Sequence, residues 1–482
     1  ALRADPTPVV RSREIVDAAL KDGSSYYGIN TGFGALARER IPADQLETLQ
    51  RNLLLSHAVG VGDWVPVPIS RLMLQLKIHA LGLGFSGVSL SVFERLLSFV
   101  EMDLIPAIPS KGSVGASGDL APLAHMTLPL IGRGLFWSGD GSTLLDADKV
   151  LAQNGLAPVT LGPKDGLSLI NGTQLMSAYG AYVLEKSSRL AKLADVVAAM
   201  SLEALQGSLL PFDERIQAVR PFAGQIDVAA NVRAMLLDSE ILESHRDCGK
   251  VQDPYSLRCV PQVHGATRGA LGHASEVIET ELNSATDNPL VFSDGSILSG
   301  GNFHGQPLAL AMDYMAIALA ELASISERRL YLLLSGQDGL PQLLMRQTGV
   351  NSGFMIPQYT AAALVSENKI LCHPASVDSI PTSLGQEDHV SMGSISAIKL
   401  LQVFRNVETV LAIELLAASQ ALDYRHPLRP GRGVAAAHGF VRHVIAHRES
   451  DYYFREDLDP CMEIVRTAGL LKSVEEEVGA LR

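Results

Sequence analysis

Three stretches constrain this chain more than anything else in it. Gln174–Leu205, Gln306–Leu334 and Met392–Leu422 each read as a single long helix. At about thirty residues apiece they far exceed the roughly 11–12 residues of a mean helix. The first has alanine at many positions and no proline. Small side chains let helix backbones approach closely, so such helices pack side by side as an antiparallel bundle. Their apolar character runs beyond one stripe, which predicts burial against a partner chain as well. The expected fold class is mainly α: a central bundle of long antiparallel helices behind a loop-rich N-terminal region, assembled as an oligomer.

Composition supports this and removes several functions. The 482 residues are 47% hydrophobic, ample for a large core. A net charge of −13, with no run of five like charges, argues against a nucleic-acid partner. Cys248, Cys259, Cys372 and Cys461 are scattered, which fits reduced thiols in a cytoplasmic protein rather than a disulfide framework or a metal site. The most membrane-like run, Leu308–Leu322, is interrupted by Asp313 and Glu321, so no membrane partner is expected. Ala1–Asp5 holds no signal-peptide core. The chain does not begin with Met, so a few native residues are expected to precede it.

By sequence character the chain divides into residues 1–170, 171–425 and 426–482. In the first region, Tyr26–Gly34 holds Gly28, Gly32 and Gly34 beside Asn30-Thr31, the composition of an ordered loop. Asp44 is expected to cap a helix carrying Leu46, Leu49 and Leu53 toward Ser56-His57. A second amphipathic helix covers Ile69–Leu81, and Ser91-x-x-Glu94 reads as the capping box of a third. Strands are expected only within 135–165. The segments 246–265, 283–304 and 378–390 are unusually polar, and Pro427–Arg482 reads as a helical tail.

Two motifs fall away on inspection. Gly82-Leu83-Gly84-Phe85-Ser86-Gly87 matches a dinucleotide fingerprint, but it follows a helical pattern where a strand is required. It reads as a turn between helices. His443 and His447 have metal-ligand spacing, but Arg442 and Arg448 flank them and no third ligand is near, so a basic helix face is expected.

Gly112–Leu123 is different. At its centre lie Ala116, Ser117 and Gly118, between Gly115 and Asp119. An ordinary turn before a helix is one reading. Ser117 as a hydrolase nucleophile is another, although the elbow motif needs glycine where Asp119 stands and a strand before it. The third is backbone cyclisation. Attack of the Gly118 nitrogen on the Ala116 carbonyl demands a very tight fold, which only small residues at 116 and 118 permit. Loss of water from Ser117 then leaves a ring with an exocyclic methylene, a strong electrophile.

Gly115-Ala116-Ser117-Gly118-Asp119-Leu120-Ala121-Pro122-Leu123-Ala124 resembles the signature of the aromatic amino acid ammonia-lyases and aminomutases. Tyr26–Gly34, Asn171-Gly172-Thr173-Gln174, Gln252-Asp253-Pro254-Tyr255-Ser256-Leu257-Arg258-Cys259 and Gln386-Glu387-Asp388-His389 are similar to further motifs of that family, in the family's order. The resemblance spans Tyr26 to the final helices. It implies a mainly α homotetramer with active sites shared between subunits, and a catalytic N-terminal region. It also implies a methylidene-imidazolone group (MIO) formed from Ala116-Ser117-Gly118, with no metal or nucleotide. The substrate is then a small amino acid.

The resemblance further implies roles for single residues. Tyr27 is the base for the β-proton, and it needs help, because a free phenol titrates near 10. Arg258 grips the substrate carboxylate with its planar fork. Tyr255, Gln252 and Asn171 surround the substrate; Asn171 and Gln252 donate hydrogen bonds to it or to the imidazolone oxygen, and Asn171 also suits a helix N-cap. Phe303 lies beside the electrophile. Ser56-His57 resembles the pair found in histidine lyases, and Glu387 stands where the phenylalanine and tyrosine enzymes usually carry glutamine. A carboxylate facing an imidazole gains a partner, whereas facing a phenyl ring it is desolvated for nothing. Histidine is therefore the expected substrate. A tyrosine or phenylalanine lyase, an aminomutase, a serine hydrolase and a non-catalytic scaffold are the alternatives.

Overall fold

A computed structural model describes residues 3–482; the start of the stretch read as lacking a signal core, Ala1-Leu2, lies outside the described residues. The chain is mainly α, with nineteen α-helices among the described residues and only three two-stranded antiparallel ladders. The long helices run Gln174–Ala204, Gln306–Leu333 and Gly393–Asp423, each within a residue of its predicted span. Helical periodicity and a lack of interior proline suffice to define helices of this length.

A fourth long helix, Val260–Leu282, was not expected. Its Pro261 and three glycines, Gly265, Gly269 and Gly272, read as breakers. Pro261 occupies the first turn, where its missing N–H costs nothing. Gly265 permits close packing: a Cβ there would lie 2.5 Å from the Gln225 nitrogen on the Ala223–Met235 helix. Tertiary contact has overridden propensity here.

Two compact units share the chain, and both are discontinuous in sequence. The first comprises 1–182, 275–313 and 374–398. It contains all three ladders: Val61–Trp64 with Pro109–Lys111, Leu135–Trp137 with Leu144–Asp146, and Leu290–Val291 with Ile297–Leu298. Only the middle one falls in the region expected to hold strands. The second unit comprises 183–274, 314–373 and 399–482. Its interior includes ion pairs as well as apolar packing. Arg329 donates to Glu414 at 2.6 and 2.8 Å, with both side chains fully buried. Asp195 accepts from Arg268 and Asn231 and pairs with His264 at 2.7 Å. Burial alone would raise the Asp195 carboxyl, but the His264 hydrogen bond and the Arg268 charge outweigh it and hold it below the usual range. Removing one partner of such a pair strands the other charge, at a cost of about 3–5 kcal/mol.

Local signals misplaced two helix starts. Asp44 lies in a single 3-10 turn, Ala43–Gln45, and makes no cap for the Leu46–His57 helix. The next helix but one starts at Leu90, and the Ser91–Glu94 box does not form. Ser89 is its N-cap residue instead, and the Ser89 amide and hydroxyl donate to the Asp165 carboxylate at 2.7 and 2.8 Å. His447 lies beyond the end of the Arg432–Val444 helix, so no basic face joins it to His443. It binds the Asp423 carboxylate at 2.7 Å, and His438 takes the other oxygen. Among the described residues no cluster has the makings of a metal site. The Gln306–Leu333 helix is long and apolar enough to cross a membrane by length and composition, but most of its apolar window is buried in the protein.

Candidate active site

The Gly82–Gly87 stretch is a turn after the Val67–Gly82 helix, as its context required. Gly112–Asp119 is a tight, strained turn, and every neighbour explains why its residues are small. The Gly118 amide donates to the Gly115 carbonyl at 3.2 Å, folding the chain back over Ala116-Ser117. Gly115, Ser117 and Gly118 have φ of 90°, 48° and 80°. For Ser117 the left-handed region carries a side-chain penalty of about 1–3 kcal/mol. At Gly118 any Cβ would stand 2.1 Å from the Gly172 carbonyl oxygen, and at Gly115 it would stand 2.3 Å from Ser391 Oγ. The Gly118 collision is with backbone, and both residues lie at positive φ, so glycine is favoured at both positions.

The turn is clamped in this shape. The Gly172 amide donates to the Ser117 carbonyl at 3.1 Å, and the Asp119 amide donates to the Gly172 carbonyl at 2.8 Å. Ser113 Oγ donates to the Gly118 carbonyl, and the Met392 amide to the Val114 carbonyl. Ala116 packs with Val390 and Met392 in a small apolar cluster. The Phe303 carbonyl oxygen lies 3.1 Å from where a Gly118 Cβ would stand, which puts Phe303 beside the tripeptide as expected. Cyclisation through the Gly118 nitrogen needs a backbone that turns back on itself between unobstructed residues. The residues present fit that requirement.

Behind the turn lies a buried polar floor. Asp119 is fully buried, and one carboxylate oxygen accepts from the Leu175 and Met176 amides at 2.8 and 3.1 Å. It thereby caps the Gln174–Ala204 helix from a distance, and this corrects the expectation that Asn171 serves there. Its other oxygen has no hydrogen-bond partner among the described residues. Burial pushes the Asp119 carboxyl up to about 7. Lys77, also buried, donates to the Asn171 carbonyl at 2.5 Å, and burial pulls its ammonium down to about 8. Lys164 meets Asp287 at 2.8 Å. Sequence reasoning missed Lys77. The available signal was a lone lysine on the buried face of the Val67–Gly82 helix, among Met73, Leu74, Ile78 and Leu81.

The elevated Asp119 value makes a stability prediction. A carboxyl raised in the folded state holds a proton that the unfolded chain has lost between about pH 4 and pH 7, so its contribution to stability falls as pH rises through that window. Asp119→Asn removes that penalty while keeping an acceptor for the two amides. The melting temperature of the variant relative to wild type should therefore shift in the variant's favour from pH 5 to pH 8. A difference that stays constant with pH, in paired thermal melts, would show that Asp119 does not titrate there.

In front of the turn, Ala116 and His57 line one cleft of about 190 Å³, together with Ser56, Val59 and Val114. His57 is the last residue of the Leu46–His57 helix; Ala58 leaves helical geometry at ψ 65° and so ends it there. Ser56 Oγ lies 3.0 Å from His57 Nδ1. Burial lowers the His57 value, although a Leu53 backbone contact and the Glu387 charge work the other way. The net shift favours the neutral ring.

Tyr27 sits in the glycine-rich loop, whose shape is internal. The Asn30 side chain accepts from the Tyr26 amide at 2.8 Å, and Thr31 Oγ1 accepts from the Gly28 amide at 3.0 Å. The Gly34 amide donates to the Tyr27 hydroxyl at 3.1 Å, one source of the help the phenol needs. Burial nonetheless dominates and raises the phenol above 10, with the Glu387 charge adding to it. One Glu387 oxygen accepts from Thr382 Oγ1 at 2.7 Å. Thr382 and Ser383, also missed, have no sequence signal beyond their neighbourhood to Glu387.

Asn171 differs from expectation. Its amide nitrogen already donates to Asp287 and to the Asn288 carbonyl at 3.1 and 2.8 Å, which leaves only its buried oxygen without a partner. It can accept a hydrogen bond but has no donor to spare. Gln252, Tyr255 and Arg258 belong to the second unit. There Gln252 lines a cavity of about 680 Å³ with Asp213, Arg233 and His245. Tyr255 is 70% exposed, and the Arg258 guanidinium stacks on its ring at 4.4 Å. The structure thus gathers Tyr27, His57, Ala116, Ser117, Gly118, Asn171, Phe303 and Glu387 in one unit, and the other three residues are grouped in the second.

Residues 6–443 match the family model for aromatic amino acid lyases. The chain is 54% identical to the histidine ammonia-lyase of Anaeromyxobacter sp. (strain K) over 471 residues, covering 96% of this chain and 93% of that protein. The crystal structure of histidine ammonia-lyase from Trypanosoma cruzi superposes with a TM-score of 0.90 at 43% identity, over 98% of this chain and 89% of that one. Tyrosine aminomutase from Streptomyces globisporus superposes with a TM-score of 0.92 at 35% identity, over 98% and 94% of the two chains.

Proposed function

The chain belongs to the aromatic amino acid lyase family, and on that premise we propose that it removes ammonia from L-histidine to give trans-urocanate. The observation that carries this reading is the shared cleft, with Ala116 of the tripeptide on one wall and His57 on another. The strained, glycine-bounded turn suits Ala116, Ser117 and Gly118 to form the methylidene-imidazolone. That group would supply an electrophile for the substrate amine and so turn a poor leaving group into a good one.

The chain's own side chains do the rest. His57 and the open oxygen of Glu387 hold the imidazole ring. Tyr27, as phenolate, takes the β-proton, and the Gly34 amide steadies the phenolate with its hydrogen bond. Asn171 offers its unpartnered oxygen as an acceptor for a substrate N–H. Arg258 pairs with the substrate carboxylate, flanked by Tyr255 and Gln252. We assign this last group to a neighbouring chain of a cytoplasmic homotetramer whose active sites are shared. Exposed apolar residues on the helices support assembly: Tyr314, Ile317 and Tyr331 on one, Ile356, Tyr359 and Ile370 on another.

The test is direct. Incubated separately with L-histidine, L-tyrosine and L-phenylalanine, the protein should generate ultraviolet absorbance of the unsaturated acid from L-histidine. Product from tyrosine alone, or a β-amino acid in place of urocanate, overturns the assignment. His57→Leu and Glu387→Gln should raise KM for L-histidine roughly tenfold to a hundredfold, as expected for hydrogen bonds to charged or polar ring partners worth about 1.5–3 kcal/mol.

A further inference from the structure

The loop that carries Glu387 is unusual in its backbone. Ser383 and Leu384 are consecutive non-glycine residues in the left-handed region, at φ 51° and 55°, and Gly385 follows at 87°. Each non-glycine residue there is strained by about 1–3 kcal/mol, so the surroundings must hold the conformation. Two kinds of contact do so. Thr382 and Glu387 bridge through their backbones, with amide-to-carbonyl distances of 2.9 and 3.3 Å. The two side-chain hydroxyls then point in different directions. Thr382 Oγ1 donates to Glu387 Oε2 at 2.7 Å. Ser383 Oγ accepts from the Ala35 amide at 3.1 Å, on the loop that carries Tyr27. Its fit against Gly34 is close: a Cβ on Gly34 would lie 2.4 Å from Ser383 Oγ and 3.7 Å from Glu387 Oε1. Gly34 is also the residue whose amide donates to the Tyr27 hydroxyl.

We propose that Thr382 and Ser383 are positioning residues that set the ring-reading carboxylate against the base. Thr382 occupies Oε2 and leaves Oε1 as the oxygen presented to the substrate ring. Ser383 anchors the Gly34-Ala35 backbone, and with it the donor that steadies the Tyr27 phenolate. Neither hydroxyl touches substrate. The same strained loop thus couples recognition of the ring to removal of the proton. This inference rests on the assignment of Glu387 and Tyr27 above.

The test uses the full-length assembled enzyme. Thr382→Val keeps the shape and removes the hydroxyl. It should raise KM for L-histidine about 5- to 20-fold with kcat nearly unchanged, less than the loss expected when Glu387 itself is replaced, because the hydroxyl acts only through the carboxylate. Thr382→Ser should restore wild-type KM. In a Glu387→Gln background the Thr382→Val effect should shrink to about twofold or less, because the two residues act through one another. Ser383→Ala should move the alkaline rise of kcat to higher pH and leave the KM for L-histidine nearly unchanged. A Thr382→Val enzyme with wild-type KM, or an effect fully additive with Glu387→Gln, overturns the role of Thr382. An unchanged pH profile in Ser383→Ala overturns that of Ser383. If Thr382→Val does not fold, Thr382→Ala and the serine rescue make the same comparison. A wild type inert toward L-histidine instead overturns the substrate assignment, which separates the two failures.

Discussion

Replacing Ser117 by alanine is expected to reduce turnover of L-histidine by at least about 10³-fold, equivalent to roughly 4 kcal/mol of transition-state stabilisation. The reason is chemical. Alanine at 117 has no hydroxyl to lose, so no exocyclic methylene can form and the amine departs unassisted. The fold should survive. Ser117 holds its neighbours through its backbone, with its carbonyl accepting from the Gly172 amide, and alanine occupies the same φ of 48° at similar strain. A second measurement is independent of activity. Intact mass should show the wild-type chain lighter than its encoded sequence by two waters, one from cyclisation and one from Ser117, while Ser117→Ala lacks the loss from the side chain. Borohydride should inactivate the wild type and find no electrophile in the variant. Retained activity in Ser117→Ala would reject the electrophile and return the tripeptide to an ordinary turn.

Tyr27→Phe is the second large effect, a fall in kcat of about 10²–10⁴, the usual contribution of a general base. Phenylalanine preserves the packing of the ring and removes only the hydroxyl that accepts from Gly34. The wild-type pH profile carries the sign. Burial raises the phenol above its ordinary 10, so the phenolate is a minor form at neutral pH and kcat should climb with pH into the alkaline range. Tyr27→Phe should flatten that climb. A variant with a parallel profile at a lower level would place the proton transfer elsewhere. Co-expression with Arg258→Ala chains adds a test of the assembly. If active sites draw Tyr27 and Arg258 from different chains, mixed oligomers regain part of the activity that each variant lacks alone. No recovery in mixed oligomers would put both residues on one chain.

Much of this protein was legible before any coordinate. The long helices were, because periodicity over about thirty residues outweighs any single unfavourable position. The Val260–Leu282 helix was not, because Gly265 serves packing against Ala223–Met235 rather than a local break. The tripeptide's small residues were legible as a tight turn, and resemblance to the family, rather than their bulk alone, gave that turn an expected chemistry. Asn171 was misread for the opposite reason: Asp287 and Asn288, more than a hundred positions away, take both donors of its amide.

The division follows the range of the forces involved. By itself the sequence determined the helical class and the run of small residues at 116–118, which rest on residue type and near neighbours, while His57 and Glu387 were singled out by resemblance to the family. Tertiary structure decided that Asp119 is buried and caps a helix starting far along the chain, that Lys77 holds the Asn171 carbonyl beside the turn, and that Thr382 leaves one oxygen of Glu387 open. Burial and hydrogen-bond partnership depend on which distant segments meet. They set the charge of Asp119, the availability of Asn171 and the aim of Glu387, and residue type alone cannot reveal them.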